Sequence, residues 1–176
     1  MAVRLPLLLS LAVLTLGCAS LGRSASVNAG NPSAQAQFEL FCSLEGEWQA
    51  VGGNHAAGAS HVYKTIANGS AVVETAFPGE PHEMVTVFHL DGDQLVLTHY
   101  CAAGNQPRMI AEAGSGKEVR FEFAGAGNME SLEEVHMHDA SFDFTNPERL
   151  LTTWSYWDGG EQTSLMEVEL VRVKAD

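Results

Sequence analysis

Apolar and polar residues alternate along most of this chain from residue 47 onward. Val119, Phe121 and Phe123 lie on one side of an extended segment, and the residues between them are charged. The segment from Met166 to Leu170 alternates with glutamates in the same way. Because successive side chains of a β-strand point to opposite faces, the pattern predicts strands with one apolar and one acidic face.

Turn sequences separate about ten such segments. Asn68-Gly69, Asp91-Gly92-Asp93 and Asp158-Gly159-Gly160 are turns of the kind that join hairpins. The predicted strands are 47–51, 61–67, 70–77, 84–90, 94–101, 108–113, 118–124, 135–144, 150–157 and 162–173. Consecutive hairpins favour a closed or nearly closed antiparallel up-and-down β-barrel, because closure removes exposed edges. The predicted fold class is therefore all-β.

A single short helix is predicted before the strands, from Ser33 to Leu44. Ser33 can cap its first turn, and Phe38, Phe41 and Leu44 fall on about one face. Gly46 follows its end. We expect this amphipathic helix to close one end of the barrel.

The first residues have the features of an export signal. A short positive start precedes an apolar run from Leu5 to Leu16, which is too short to span a membrane, and small residues follow. The end of this run resembles a bacterial lipobox, which implies lipidation of Cys18, although Thr15 stands where that pattern prefers a branched aliphatic residue. Ordinary cleavage, for example after Ala29, is the alternative.

These features divide the chain into three parts. Residues 1–18 are predicted to be a signal peptide, 19–33 a flexible linker rich in small residues, and 34–176 the barrel domain. The protein is expected to be exported to the periplasm or cell envelope. If Cys18 is acylated, a lipid anchor makes the membrane one of its partners.

The charge balance excludes one class of partner. Asp and Glu number 22 against nine Lys and Arg, and the net charge is −13. An acidic chain without a basic cluster repels phosphate backbones, so nucleic-acid binding is not expected. Cys42 and Cys101 could pair in an oxidising compartment, but spacing alone leaves a disulfide and free thiols both open.

Two parts of the domain resemble known proteins. Leu44-Glu45-Gly46-Glu47-Trp48 is similar to the Gly-x-Trp opening of lipocalin-like barrels, in which the Trp plugs the base. Residues 69–75, 82–86 and 97–109 resemble a group of bacterial exported proteins of unknown function. The resemblance covers most of the chain from Phe38 onward and implies a calycin-type barrel, but no activity.

His136 and His138 are the first candidates for a site. They alternate on one predicted strand, so their imidazoles share a face. Phe142 and Phe144 fall on the same face by the same count, which predicts that it is the inner one. Two such histidines can hold zinc or copper if a third ligand is present. Hydrogen-bonded core residues and direct ligand contacts are the alternatives.

His99 and His89 are the candidates for that third ligand. They lie on two strands of one hairpin, and its loop length decides whether they share a face, which the sequence leaves open. Cys101 beside a histidine could also form a nucleophile, but no oxyanion hole or third orienting group is identifiable. Binding is therefore favoured over catalysis.

A polar corner follows His99. Asn105, Gln106 and Arg108 could satisfy backbone groups there, with Arg108 paired to Glu74, Glu83 or Glu112. Alternatively, Arg108 could bind a ligand carboxylate at the barrel mouth. The aromatic residues of the ninth predicted strand, Trp154, Tyr156 and Trp157, are expected in the core and at the rim.

Three functions are compatible with this sequence. The first is binding of a small apolar or amphipathic ligand inside the barrel. Its polar contacts and aromatic wall would come from His99, Tyr100, Arg108, His136, His138 and Trp154. The second is a metal site formed by His99, His136 and His138, and haem held by one histidine is a related possibility. The third is an envelope-associated structural protein with a filled barrel.

Overall fold

The computed structural model describes residues 32–54, 57–114 and 116–174. The predicted signal peptide, Cys18 and nearly all of the predicted linker lie outside these residues. The elements are α1 Pro32–Cys42, β1 Gly46–Gly53, β2 Ser60–Ile66, β3 Ala71–Ala76, β4 Met84–Asp91, β5 Gln94–Tyr100, β6 Gln106–Ala111, β7 Glu118–Gly127, β8 His136–Asn146, β9 Arg149–Asp158 and β10 Glu161–Arg172.

The ten strands form one closed antiparallel barrel. Each strand pairs with its neighbours in sequence, and β1 pairs with β10 to close the ring. The predicted up-and-down barrel with one short helix is therefore confirmed. Within the described part of the chain, no helix combines the length and apolar character needed to cross a membrane.

Helix α1 closes one end of the barrel, and its Phe41 enters the interior. The ring of Phe41 is fully buried and stacks 4.2 Å from that of Phe88. Three further phenylalanines surround it edge-on: Phe121, Phe142 and Phe144. Aromatic side chains thus fill the half of the barrel next to the helix, which we call the closed end.

Trp48 also lies at the closed end. It is 1% exposed, and its indole N–H donates to the carbonyl of Leu44 at 2.7 Å. The guanidinium of Arg172 lies 4.4 Å above its ring. This position matches the base plug that the Gly-x-Trp resemblance implies.

The predicted cap of α1 was wrong. The helix begins at Pro32, so Ser33 lies in its first turn rather than before it. The Ser33 hydroxyl instead contacts the backbone of Gly114 between β6 and β7. Proline favours the first helical position because its missing N–H would have no helical partner.

A β-bulge in β8 reverses the predicted orientation of His136. Met137 pairs with Tyr156, and Ala140 pairs with Trp154. Over this interval β8 therefore contains one more residue than β9. The extra residue moves every later side chain to the other face. His136 therefore does not share the inner face with Phe142, and the prediction that it does was wrong.

The β4–β5 hairpin settles the open question about His89 and His99. Asp91 pairs with Gln94 across a two-residue turn at Gly92 and Asp93. His99 then pairs with Thr86, whereas His89 pairs with Val96. Val96 precedes His99 by an odd number of positions on β5, so the two residues point to opposite faces. The two histidines lie on opposite faces of the sheet, and His99 faces inward.

Both described cysteines are free thiols. Cys42 ends α1 at the closed end, whereas Cys101 follows β5 at the opposite, open end. Burial raises the pKa of both thiols. The sequence left open a disulfide or two free thiols, and the structure shows two free thiols.

Candidate functional site

Four polar residues form a row across the inner wall towards the open end. Tyr63 on β2 pairs with Glu74 on β3, Glu74 with Thr86 on β4, and Thr86 with His99 on β5. Directly opposed residues of antiparallel strands share a face. The register therefore places these side chains side by side in a largely apolar interior.

Glu74 accepts hydrogen bonds at the centre of this row. Its Oε1 lies 2.8 Å from Nδ1 of His61 and accepts from the Tyr63 hydroxyl at 3.0 Å. Burial raises the pKa of Glu74, but the hydrogen bond and charge of His61, together with Tyr63 and His99, outweigh it and lower the net pKa. Burial and the carboxylate raise the pKa of Tyr63 well above its usual value. The site thus holds a carboxylate and a neutral phenol.

His99 is buried with one ring nitrogen unused. Nδ1 lies 3.0 Å from the hydroxyl of Thr86, and the ring packs 5.2 Å from that of Trp154. Nε2 is buried and has no hydrogen-bond partner among the described residues. Burial lowers the pKa of His99 to about 4, against a smaller opposing effect of Glu74. The imidazole is neutral at pH 7 and presents one free donor or acceptor.

A small cavity of about 40 Å³ lies beside His99 at the open end. It is lined by His61, Glu74, Ala76, Phe77, Met84, Thr86, His99, Met137, Trp154 and Met166. By volume it holds roughly three water-sized groups. Three of the lining residues are methionines, whose flexible side chains can adapt to ligands of different shapes. The polar row thus faces a hollow whose other side is apolar.

Two predicted ligand contacts, His99 and Trp154, line this cavity, whereas Tyr100 and Arg108 do not. Tyr100 is 50% exposed. Arg108 pairs with Asp91 on the surface at 3.0 Å, rather than with one of the three glutamates considered from the sequence. No Lys or Arg of the described residues lines the cavity.

His136 and His138 belong to a separate aromatic stack. The ring of His138 lies between those of Phe123 and Trp157, at 4.5 and 3.9 Å. His136 lies 5.4 Å from His138. Its Nδ1 is 2.6 Å from the carbonyl oxygen of Glu134, so this nitrogen carries the proton. These histidines pack at the ends of β7, β8 and β9, and they do not line the cavity with His99.

The polar corner after β5 supports this stack. The side-chain amide of Asn105 is buried and donates to the carbonyl of Val135, the residue before His136, at 2.7 Å. The amide of Gln106 donates to the nearby carbonyl of Gly104 at 3.2 Å. Both side chains bind backbone groups, which is the structural role considered for them from the sequence.

The three predicted metal ligands are not gathered at one place. Over residues 32–54, 57–114 and 116–174, no group of three or more His, Cys, Asp or Glu side chains is arranged to hold a metal ion. His138 Nδ1 lies 3.1 Å from Asp139 Oδ2 without the geometry of a hydrogen bond. The metal site stays a prediction. Haem is far larger than the cavity and does not fit it in this conformation.

Comparisons with known proteins identify no related family for this chain. No family model matches the chain. No curated protein matches it significantly either. The closed ten-stranded antiparallel barrel is consistent with a lipocalin-like fold.

Sequence reasoning missed most of the polar row. Glu74 was considered only as a partner of Arg108, and His61, Tyr63 and Thr86 were not considered at all. The available signal was the alternation of Val72, Glu74 and Ala76 on one side of β3. A glutamate at an inward position must be paired when buried, so it marks a polar site inside the barrel.

Proposed function

We propose that the protein binds a small uncharged molecule with a hydroxyl-type polar group on an apolar body. The site is the open-end cavity beside His99. The observation that carries this proposal is the unpaired, buried Nε2 of His99. Leaving such a group without a hydrogen bond costs about 1–3 kcal/mol, which a ligand supplying the bond recovers.

The state of His99 favours a hydroxyl group in particular. If the Thr86 hydroxyl donates to Nδ1, Nε2 carries the proton and is a donor; if the hydroxyl accepts from Nδ1, Nε2 is an acceptor. A ligand hydroxyl serves both arrangements, because it donates and accepts. A carbonyl oxygen or an ammonium group serves only one of them.

The charge of the site disfavours acids. The cavity wall already contains the carboxylate of Glu74. Glu74 on β3 pairs with Thr86 on β4, and its carboxylate interacts electrostatically with His99. Arg108, the cation considered for recognising a carboxylate, pairs with Asp91 on the surface instead. A second buried carboxylate without a cation would be repelled, so fatty acids should bind poorly.

Calorimetry with 1-octanol and octanoate at pH 7.5 tests this proposal. We expect 1-octanol to bind wild-type protein, and octanoate to bind at least about tenfold more weakly, since one uncompensated carboxylate costs more than 1.4 kcal/mol. His99→Leu should weaken octanol binding by about tenfold, the value of one hydrogen bond. Arg108→Ala is the matched control and should leave binding unchanged. Tighter binding of octanoate, or loss of binding in Arg108→Ala, would contradict the proposal.

A structural role is the second candidate, and the packed aromatic half of the barrel favours it. Phe41, Phe88 and Phe142 are fully buried and fill the barrel interior next to the helix. Absence of 1-octanol binding in the calorimetry above would favour this function.

We also propose that the protein is exported and anchored to a membrane through Cys18. The apolar run and the lipobox-like sequence support this. Expression of the full chain in a bacterial host, followed by membrane fractionation, tests it. Cys18→Ser should move the protein from the membrane fraction to the soluble periplasmic fraction, whereas Cys42→Ser should not. Equal fractionation of wild type and Cys18→Ser would refute the anchor.

A further inference from the structure

Phe77 lies between two hollows at the open end of the barrel. Its ring lines the cavity beside His99, and it also lines a groove of about 390 Å³ on the rim. The rim groove is lined by residues between 57 and 60 and between 77 and 82. Its other walls include Ala57, Ala59, Pro78, Glu80 and His82. Phe77 therefore lies between a small, partly polar hollow and a larger one whose walls are partly apolar and partly polar.

The backbone of Phe77 is held in an unusual conformation. Its φ angle is 57°, in the left-handed region that residues with large side chains rarely adopt. Its N–H donates to the carbonyl of Ser60 at 2.9 Å, and its carbonyl accepts from the N–H of Glu80 at 3.0 Å. Strained positions of this kind are enriched at ligand clamps. These hydrogen bonds hold the Phe77 backbone in place at the boundary between the two hollows.

The ring of Phe77 also contacts a histidine on each side. Its centroid lies 4.5 Å from that of His82 in the rim groove and 5.9 Å from that of His61 in the cavity. Phe77 therefore lies between one histidine of each hollow.

We infer that the ligand extends past Phe77 into the rim groove, and that Phe77 determines the apolar length that the site accepts. This inference rests on the proposed function. A cavity of about 40 Å³ holds the polar group and little more. The apolar body must therefore lie elsewhere, and the rim groove shares the Phe77 wall with the cavity and offers Ala57, Ala59 and Pro78.

Chemical-shift mapping with 1-propanol and 1-octanol tests where the body lies. Both alcohols should shift the His99 and Met137 signals, and 1-octanol alone should also shift the methyl groups of Ala57 and Ala59 and the ring of His82. If neither alcohol shifts any cavity residue, the proposed function fails. If octanol shifts His99 but leaves both alanines and His82 unmoved, this inference alone is overturned.

Substitution of Phe77 tests its role in selecting length. Phe77→Gly removes the ring and adopts a positive φ without strain, whereas Phe77→Leu retains most of the bulk and is the matched control. Each further methylene of the ligand that becomes buried strengthens binding about fourfold. If removal of the ring lets about two more methylenes of 1-octanol be buried, its binding strengthens about fifteenfold. The ratio of octanol to propanol affinity should rise by about that factor in Phe77→Gly and by less than about threefold in Phe77→Leu. Equal changes for both alcohols in Phe77→Gly would overturn the inference.

Discussion

His61 and Glu74 form a hydrogen-bonded pair inside the barrel, with Nδ1 and Oε1 2.8 Å apart and both residues less than 10% exposed. The two side chains project from neighbouring strands into a wall that is otherwise largely apolar. Tyr63 donates to the same oxygen. A buried carboxylate is stable only with such partners, so His61 and Tyr63 stabilise the charged Glu74 side chain inside the barrel.

Glu74→Gln should destabilise the protein. The variant keeps the size of the side chain but removes the charge that strengthens the bonds from His61 and Tyr63. We expect the free energy of unfolding at pH 7 to fall by about 2 kcal/mol. Urea titration followed by circular dichroism measures it. Glu118→Gln removes an exposed carboxylate paired with Arg120 and should cost less than about 0.5 kcal/mol. Equal losses in the two variants would contradict the role of Glu74.

His99 should make the protein less stable in mild acid. Its pKa is about 4 in the folded protein against 6.5 ordinarily. Between these values the unfolded chain binds a proton that the folded protein does not. Acidification from pH 6.5 towards pH 4 therefore favours unfolding, by about 3 kcal/mol over the whole interval. Above pH 6.5 both states are neutral at His99, and the effect vanishes.

The variant His99→Leu isolates this contribution from the other titrating groups. The difference in unfolding free energy between wild type and His99→Leu should shrink, or change sign in favour of the variant, as the pH falls from 7 to 4.5. Urea titrations at pH 7, 5.5 and 4.5 measure it. A difference that stays constant over this range would show that His99 titrates normally. Glu74, whose pKa is lowered, adds its own loss of stability only below about pH 4.5.

The fold could be predicted because its determinants are local. Alternation in β7 and β10 and the turn at Asp91–Asp93 each specify a strand or hairpin without reference to distant residues. Closure of the barrel then follows from the hairpin order. The helix begins one residue earlier than predicted, and Ser33 in its first turn contacts Gly114, which is 81 positions away in sequence. It ends at Cys42 rather than at Leu44.

The site could be predicted only in part, because it depends on register. His99 was recognised, but Glu74 becomes its neighbour only through two successive strand pairings across Thr86. The bulge in β8 has no clear sequence signal, and without it the alternation places His136 inside. For Arg108 the sequence left open a glutamate partner or a ligand carboxylate. The structure pairs it with Asp91, a tertiary contact that the sequence does not indicate.

Phe41→Ala should be among the most damaging substitutions. Its ring is fully buried between four other phenylalanine rings, so its removal leaves a cavity that the rigid barrel cannot close. Buried Phe→Ala changes cost about 3–5 kcal/mol. The urea midpoint and slope measure the loss. Tyr100→Ala, at a half-exposed aromatic residue, should cost about 0.5 kcal/mol or less. Similar midpoints for the two variants would show that the helix is not part of the core.

Asp139→Ala should loosen the wall where β7 and β8 separate. Backbone pairing of these strands ends at Phe121 and Ala140, and beyond it Asp139 Oδ1 accepts from the N–H of Phe123 at 3.2 Å. The carboxylate thus replaces a missing sheet hydrogen bond and holds Phe123 against His138. Its removal should cost about 1–2 kcal/mol.

Amide hydrogen exchange gives the local readout for this last variant. Since about 1.4 kcal/mol corresponds to tenfold, the Phe123 amide should exchange at least about tenfold faster in Asp139→Ala, while the Phe88 amide on the opposite wall follows only the change in global stability. Glu122→Ala removes an exposed carboxylate from the same stretch of β7 and should leave both amides unchanged. If Phe123 exchanges no faster than Phe88 in Asp139→Ala, the side chain does not bridge the two strands. The stack of Phe123, His138 and Trp157 would then be what holds this part of the barrel closed.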